Sequence, residues 1–410
     1  MKVALFTETY LPYINGIVTH VKILKEGLEE LGHEVLVVCA DVNARHHTIK
    51  NGVLHCPAKS FKRFYNYGLA FPLSTSRIRI LKEWAPDIIH IHNEFGIGLS
   101  GVMIAKELKV PLVYTLHTMY DDYLYYVAPR PLIKLLKKTS HKYAGFLAKS
   151  ATALTGPSKK VEEFFKECGI EKDVNVIPNP VELDIFEPEN ISEEKTAAFK
   201  DKYNIPADAF LACFCGRLGR EKSIDVLLKF WSEVVKPEDN IKLLIIGGGP
   251  SHDELQELAT SLGLDSVIFT GAIPHDDLPP YYAACDCYVT TSLSDTNSIS
   301  MLEAMATGLP VLHLYDELNE GQVVTGVNGY TFTDAYELYD NLLHLKNKTP
   351  LEWQALNASV RDSVKQSGAA NLANYIVDIY NKELISNPKN QKKKKTVAIK
   401  QAIKAKIKKK

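Results

Sequence analysis

Two cations near the middle of the chain have the residue types that bind phosphate. Arg217 and Lys222 lie five residues apart in a glycine-containing segment, at the point where an apolar run ends and a helix begins. A guanidinium binds phosphate oxygens through two parallel hydrogen bonds, and an ammonium binds them as a point charge. We interpret the pair as a diphosphate site. The alternative is that both cations are solvated and pair with Glu221.

A stretch of small polar residues at 295–300 suits the binding of hydroxyls or anions. Ser298 or Asn297 is predicted to cap the helix that follows, where side chains and free backbone amides form a polar seat. Glu303 lies inside that helix among apolar neighbours. Because a solvated glutamate seldom has such neighbours, we interpret Glu303 as part of the same site.

An Asn-Gly step precedes the first predicted helix. Gly16 follows Asn15 directly, before a helical apolar pattern over 18–31. A glycine at this place lets backbone amides approach a phosphate at the helix N-terminus. An ordinary turn explains the step equally well. No Gly-x-Gly-x-x-Gly pattern follows, so a dinucleotide site is not predicted.

The elements that must position these residues alternate between strands and helices. The predicted strands are 3–6, 35–40, 87–91, 110–116, 209–216, 242–247, 267–270 and 287–290. Strands separated by helices imply right-handed crossovers and parallel sheets. Because the pattern restarts after the first half, we predict an α/β protein of two Rossmann-like domains with a ligand cleft between them.

A chain of 410 residues suits two domains. The first is predicted over 1–184 and the second over 185–345. Helices at 346–388 are predicted to cross back to the first domain, and 389–410 forms a lysine-rich tail.

Composition narrows the class of protein. The sequence contains no run of 18 apolar residues, so no membrane-spanning helix is predicted. A strand beginning at residue 3 leaves no room for a signal peptide, so we expect a cytosolic protein. The seven cysteines are scattered, which favours buried thiols over a zinc site. We therefore expect no structural metal.

The motifs, taken together and in order, resemble glycosyltransferase family 4. They are Gly-Arg-x-x-x-Glu-Lys at 216–222, Ile-Gly-Gly-Gly-Pro at 246–250, Phe-Thr-Gly at 269–271, and an acid separated by seven residues from the glutamate that begins Glu-Ala-Met-Ala-x-Gly-x-Pro at 303–310. The likeness covers residues 1 to about 385. It implies the GT-B fold of two facing Rossmann-like domains. It also implies retaining transfer of a hexose from a nucleotide sugar.

The resemblance also implies roles for individual residues. Those matched to donor contacts are Gly16, Arg217, Lys222, Ile273, Asp295, Asn297, Ser298, Ile299, Ser300 and Glu303. Among them, Gly16 and the two cations match diphosphate contacts, Ile273 reads the base through its backbone, and Glu303 binds the ribose. Asp295 and the segment after it match the part that holds the hexose. His117 matches a histidine near the reacting sugar, and it completes a catalytic set with Arg217, Lys222 and Asp295.

The family pattern implies a reaction without a divalent metal. Cations and helix N-termini offset the charge of the departing diphosphate, which itself takes the acceptor proton. No protein nucleophile or general base is assigned. Two positions depart from the pattern, because Asp295 stands where the family usually has Glu, and Asn297-Ser298 where it often has an aromatic residue and Gly.

The segment from His117 to Val127, with Tyr120 and Tyr123, more narrowly resembles the bacterial diacylglycerol glucosyltransferases of this family. That likeness implies UDP-glucose as donor and diacylglycerol as acceptor. Another glycolipid, a phospholipid headgroup or a protein is the alternative acceptor. A non-catalytic sugar-binding homologue is the alternative from another class, and the two departures motivate it.

Two basic segments suit an anionic membrane surface. The segment 130–149 mixes large apolar residues with lysines, including Lys134, Lys137 and Lys138, as membrane-surface helices do. A helix with one face on the core and its lysines in water gives the same pattern. The tail 389–410 has eleven lysines and no acid, although the whole chain has a net charge of −1.

Isoleucines recur in the tail at every fourth residue. We interpret it as a membrane anchor, against a disordered end or a nucleic-acid-binding arm. The predicted partners are thus a nucleotide sugar, a lipid acceptor and an anionic membrane, without nucleic acid. The predicted location is peripheral, on the cytosolic membrane face.

Overall fold

The computed structural model describes residues 1–13, 15–61, 67–117, 119, 121 and 130–387. The chain forms two compact units. One comprises Met1–Pro178 and the residues from Ala370 onward, and the other comprises Asn179–Ala369. Each unit has its own apolar core. Within the described residues, no helix combines the length and the apolar character needed to cross a membrane.

The first unit is built on a mostly parallel sheet. In its described part the strands are β1 (Lys2–Thr7), β2 (Glu34–Asp41), β3 (Thr48–Lys50), β4 (Val53–Phe61), β5 (Tyr67–Ala70), β6 (Ile88–Ile91), β7 (Leu112–Thr115), β8 (Ala153–Gly156) and β9 (Val174–Val176). They pair in the order β3-β4-β2-β1-β6-β7-β8-β9, and β5 pairs with β4. β3 and β5 run antiparallel to β4. None of these three strands was among the predicted strands.

Helices follow most strands of the first unit. They are α1 (Gly16–Glu30), α2 (Thr75–Trp84), α3 (Gly96–Leu108), α4 (Arg130–Ser150) and α5 (Lys159–Glu167). α1 shows how the local sequence sets a boundary. Its N-cap, Asn15, accepts a hydrogen bond from the Val18 amide at 3.0 Å. The capping oxygen satisfies an amide that has no partner inside the helix.

The second unit has a sheet that is parallel throughout. Its described strands are β10 (Phe210–Cys215), β11 (Ile241–Ile246), β12 (Val267–Gly271), β13 (Cys287–Thr290), β14 (Val311–Leu314) and β15 (Gly329–Phe332). The order is β12-β11-β10-β13-β14-β15. Numbered within the unit, this is the 3-2-1-4-5-6 order of a Rossmann fold. The predicted α/β class with two Rossmann-like sheets is therefore confirmed.

The helices of the second unit cover both faces of its sheet, as crossovers between parallel strands require. They are α6 (Leu183–Phe186), α7 (Glu193–Lys202), α8 (Ile224–Val234), α9 (His252–Ser261), α10 (Pro279–Ala283), α11 (Ile299–Ala306), α12 (Ala335–Lys346) and α13 (Pro350–Val364). α13 contributes Leu356, Val360 and Val364 to the core of this unit.

The unit boundaries differ from the predicted ones. The second unit begins at Asn179 rather than at 185, because Val181 donates its amide to the Ser367 carbonyl at 2.9 Å within that unit. α13 also stays with the second unit through its buried residues. Among the described helices of the range predicted to return to the first domain, only α14 (Ala369–Ser386) does so. There the hydroxyl of Tyr380 is hydrogen-bonded to Nδ1 of His90 at 2.7 Å.

Candidate active site

The strand order of the second sheet reverses between β10 and β13. Ligands of open parallel sheets bind at the carboxyl ends of the strands beside such a reversal. The loop after β10 carries Arg217 and Lys222, and the loop after β13 carries Asp295. The fold thus brings these residues to one edge of one sheet.

Close packing of two glycine-containing loops shapes the β10 side of this edge. Gly247 has a φ of +139° and Gly249 a φ of +155°, which side chains rarely adopt. A Cβ atom on Gly247 would lie 1.9 Å from the carbonyl oxygen of Gly216. One on Gly249 would lie 2.5 Å from that of Leu218. Glycine therefore lets this loop lie directly against the segment that carries Arg217.

The predicted cation and the predicted acid form an ion pair. The ammonium of Lys222 binds Oδ1 of Asp295, and the two side chains are only 16% and 22% exposed. Burial acts to raise the pKa of Asp295, but the charge and hydrogen bond of Lys222 outweigh it, so the pKa lies below its ordinary value. Asp295 is therefore ionised, and it balances Lys222 at the place predicted for the diphosphate.

Arg217 pairs with Glu221, as the alternative interpretation required. Nη2 of Arg217 binds Oε1 of Glu221, whose side chain is fully buried, whereas about a third of the Arg217 side chain, 32%, is exposed. A buried carboxylate fixes the guanidinium in one orientation. The pairing is compatible with a phosphate role for the exposed part of Arg217, and that role stays a prediction.

Glu303 is buried between two hydrogen-bond donors. Its Oε1 lies 3.0 Å from Nε2 of His275, and its Oε2 accepts a hydrogen bond of 3.2 Å from the hydroxyl of Tyr282. Ile273, predicted to read the base, lies two residues before His275 in the loop after β12. Glu303 has apolar neighbours in the sequence, and it is buried in the structure. Its partners His275 and Tyr282 were not predicted, although His275 lies only two residues after Ile273, which was predicted as a site residue.

The hydrogen bond that the His275 ring donates to the Glu303 carboxylate raises the pKa of His275 above its ordinary value. A raised pKa in the folded state stabilises the protein below the unfolded-state pKa, and this stability is lost as pH rises through the folded-state pKa. We therefore expect His275→Gln to lower the melting temperature at pH 6, with a difference from the parent that shrinks by pH 9. Thermal unfolding across this range measures it. In a Glu303→Gln background the same substitution should show no such pH dependence, and persistence there would contradict the assignment.

The helix that carries Glu303 begins as predicted. Ser298 is the N-cap of α11, and its hydroxyl accepts from the Met301 amide at 3.4 Å. Ser300 lies in the first turn, where its hydroxyl is 3.2 Å from that of Tyr288. The first-turn amides, including those of Ile299 and Ser300, thus follow the carboxyl end of β13. Their contact with a hexose stays a prediction.

Asn297 holds the loop around it. Its Oδ1 accepts from the Asn179 amide at 2.9 Å, and its Nδ2 donates to Oε1 of Gln322 at 3.0 Å. Gln322 donates in turn to the Thr296 carbonyl at 2.8 Å, and Asn319 donates to the Asp295 carbonyl at 2.7 Å. Both polar atoms of Asn297 are thus engaged inside the protein. Asn297 therefore positions the loop, and its predicted part in binding the donor stays a prediction.

Gln322→Glu tests this amide network. The Nε2 atom of Gln322 donates to two oxygens, the Thr296 carbonyl and Oδ1 of Asn319. A carboxylate would place an oxygen where Nε2 now donates, so that this oxygen faces two acceptors, and we expect the free energy of unfolding to fall by about 1–3 kcal/mol. Chemical denaturation measures this. The same change at Gln256, exposed on α9, should cost less than about 0.5 kcal/mol. Equal effects at both positions would contradict the network.

In the first unit, His117 lies just after β7 among other histidines. Its Nε2 is 3.0 Å from Nδ1 of His92, and its ring centroid is 4.5 Å from that of His20. Burial lowers the pKa of His117 and of His92 well below the ordinary value, so both rings are neutral. Gly16 is exposed as the first residue of α1. The roles of His117 and Gly16 stay predictions, and His20 was not predicted from the sequence.

Glu8 is a second titratable group that the sequence did not identify. It follows β1, beside the strand reversal of the first sheet, and accepts from the Ile97 amide at 2.6 Å. Burial raises the pKa of Glu8 to about 7, against hydrogen bonds from the amides of Ile97 and Gly98. Perturbed carboxyls of this kind cluster at functional sites.

α4 carries the predicted membrane-facing lysines. Leu132, Leu135 and Phe146 are 50%, 64% and 52% exposed, while Leu147 is fully buried. Lys134 and Lys138 are exposed, and Lys137 pairs with Asp121 at 3.0 Å. The helix thus packs on the core and also presents apolar and basic side chains. Tyr120, Tyr123 and the tail 389–410 lie outside the described residues.

Solved structures share this architecture. The Anabaena protein HepE, in complex with UDP, superposes with a TM-score of 0.72 at 19% identity, over 93% of this chain and 100% of that one. The sucrose-phosphate synthase of Thermosynechococcus elongatus does so with a TM-score of 0.70 at 18% identity, over 93% and 98%. Two Rossmann-like units of this kind define the GT-B class of glycosyltransferases.

Sequence comparisons give the family. The model Glycosyltransferase Family 4 matches residues 14–185, and Glycosyl transferases group 1 matches 195–348. Alpha-monoglucosyldiacylglycerol synthases are relatives, at 33% identity in Acholeplasma laidlawii, over 84% of this chain and 88% of that protein, and at 30% in Streptococcus pneumoniae, over 94% and 87%. The chain belongs to glycosyltransferase family 4 and is an enzyme of that class, as predicted.

Proposed function

We propose that the enzyme transfers glucose, with retention, from UDP-glucose to the free hydroxyl of 1,2-diacylglycerol. The observation that carries the donor half is the ion pair of Lys222 and Asp295 at the strand reversal, in the same sheet edge as Glu303. The acceptor half is supported by two relatives of 30% and 33% identity that are named alpha-monoglucosyldiacylglycerol synthase.

The chemistry in this proposal is electrostatic. As the bond between glucose and diphosphate breaks, negative charge grows on the leaving phosphate. Lys222, Arg217 and the N-terminus of α11 offset that charge without having to move. The leaving oxygen then takes the proton of the attacking hydroxyl on the same face of the sugar, so the configuration is retained. No divalent metal takes part.

The acceptor reaches the enzyme, in this proposal, at the cytosolic face of a membrane to which the protein binds peripherally. The exposed Leu132, Leu135 and Phe146 of α4 enter the interface, beside Lys134 and Lys138. Apolar side chains flanked by lysines bind anionic interfaces through both buried area and charge. The lysine-rich tail adds charge to the same attachment.

Product analysis tests the proposal. Purified enzyme is incubated, in excess EDTA, with diacylglycerol in anionic vesicles and with UDP-glucose, UDP-galactose, GDP-mannose or ADP-glucose in turn. We expect one lipid product, from UDP-glucose, with an α-anomeric proton by NMR. Transfer only to another lipid, supplied in a parallel incubation with bacterial lipid extract, would replace the acceptor. A β-anomer, or a strict requirement for metal, would overturn the mechanism.

A further inference from the structure

Three histidines from three elements converge in the first unit. They are His20 on α1, His92 after β6 and His117 after β7. One ligand nitrogen from each ring lies within 4.8 Å of the others. His20 is 3% exposed and His92 is fully buried. The cluster therefore lies at the carboxyl edge of the first sheet, with two of its rings buried and that of His117 partly exposed.

The ring positions match those around one metal ion. Centroids are 5.5 Å apart for His20 and His92, 4.5 Å for His20 and His117, and 5.3 Å for His92 and His117. Three imidazoles bound tetrahedrally at the usual Zn–N distance would have centroids about 5 Å apart. Shifts of a few tenths of an ångström to about an ångström thus convert the cluster into a three-histidine site.

One polar atom of this cluster points to a ligand as well. Nδ1 of His92 is hydrogen-bonded to His117, yet its Nε2 is buried and has no hydrogen-bond partner among the described residues. A buried ring nitrogen without a partner costs about 1–3 kcal/mol, and a bound cation would remove that cost. Rotation of the His92 ring is the movement that would present the lone pair of this nitrogen to a cation.

We propose that His20, His92 and His117 bind one late first-row divalent cation, such as Zn²⁺, and leave its fourth position open. Three neutral nitrogen ligands without a carboxylate favour Zn²⁺ or Co²⁺ over Mg²⁺ or Ca²⁺. The cation is not part of the transfer reaction. It occupies His117, the residue that the family resemblance assigns to the reacting sugar, and therefore inhibits the enzyme; this second part rests on the proposed function.

A Co²⁺ titration of the full chain tests binding independently of activity. We expect one equivalent of Co²⁺ to produce the visible absorption bands of a tetrahedral site, Zn²⁺ to abolish them and Mg²⁺ to leave them unchanged. His20→Gln should weaken the binding by at least about 10–100-fold. His344→Gln, on the exposed side of α12, is the matched control and should bind as the parent does. Circular dichroism verifies that each variant is folded.

The absence of a saturable one-to-one site, or unchanged binding by His20→Gln, would overturn the site. Inhibition is measured as the ratio of transfer rates with and without Zn²⁺. We expect a large ratio for the parent and a ratio near one for His20→Gln. Bound Zn²⁺ with an unchanged rate would overturn the coupling to His117. If the metal-free enzyme shows no transfer at all, this counts against the proposed function. The Co²⁺ titration still tests the metal site in that case, because it does not depend on activity.

Discussion

Replacing Lys222 by alanine is expected to lower kcat by about 10²–10³, the loss typical for one group that stabilises transition-state charge. kcat/KM should fall with it, because the interaction strengthens as charge grows on the leaving phosphate. Steady-state kinetics with UDP-glucose measure both constants. Lys222 also balances the largely buried Asp295, so thermal unfolding must show that the variant is folded under the assay conditions.

Arg220→Ala is the matched control for this prediction. Arg220 lies two residues before Lys222 in the same short turn, but its side chain is 67% exposed and meets Glu254, also 67% exposed, at 3.5 Å. Its removal should leave kcat within about twofold, since exposed pairs contribute little. Equal losses in both variants would mean that any positive charge in this segment supports the reaction, and not specifically the Lys222 ammonium beside Asp295.

Deleting residues 389–410 is expected to reduce binding to anionic vesicles by about 10² or more. Each lysine near an anionic surface contributes about 1 kcal/mol, so three engaged lysines already give this factor. The segment begins after α14, the last helix that the structure describes, so both units should fold without it. Vesicle flotation of the full and the truncated chain measures the affinity.

Salt and lipid charge separate this effect from apolar insertion. The difference between the two chains should vanish on neutral vesicles. It should also shrink as added salt shortens the Debye length below its physiological value of about 8 Å. Activity on lipid-embedded acceptor should fall more than activity on a soluble analogue. Equal flotation of both chains with anionic vesicles would assign the attachment to α4 alone.

The two Rossmann-like sheets were predictable because their central strands are continuous apolar runs. β2 and β10, for example, were predicted within a residue or so at each end. β3 was missed because all three of its residues are exposed, so no burial pattern marks it. The unit to which α13 belongs was also predicted wrongly. A helix boundary is local information, whereas the unit on which a helix packs depends on distant contacts.

Single residues of the site were predictable where a residue type is uncommon among the neighbours that it has in the sequence. Glu303 among apolar neighbours is such a case, and the structure buries it. Its partner His275 lies 28 residues away, and Asp295 lies 73 residues from Lys222. Pairings of this kind depend on which strands are adjacent. One sequence shows the charged and polar residues but not which of them are in contact, and the hydrogen bonds of Asn297 were not predicted for the same reason.

The amide network around Asn297 defines what can be exchanged between relatives in this region. Asn179 opens the second unit, and its amide and side chain both bind Asn297. Gln322 and Asn319 close the network from the loop after β14. These four residues come from three distant places in the chain, yet each is hydrogen-bonded to at least one of the others. A chimaera that takes only residues 295–300 from a relative would therefore lose matching hydrogen-bond partners. An exchange between relatives should include the segments around 179, 297 and 319–322 together.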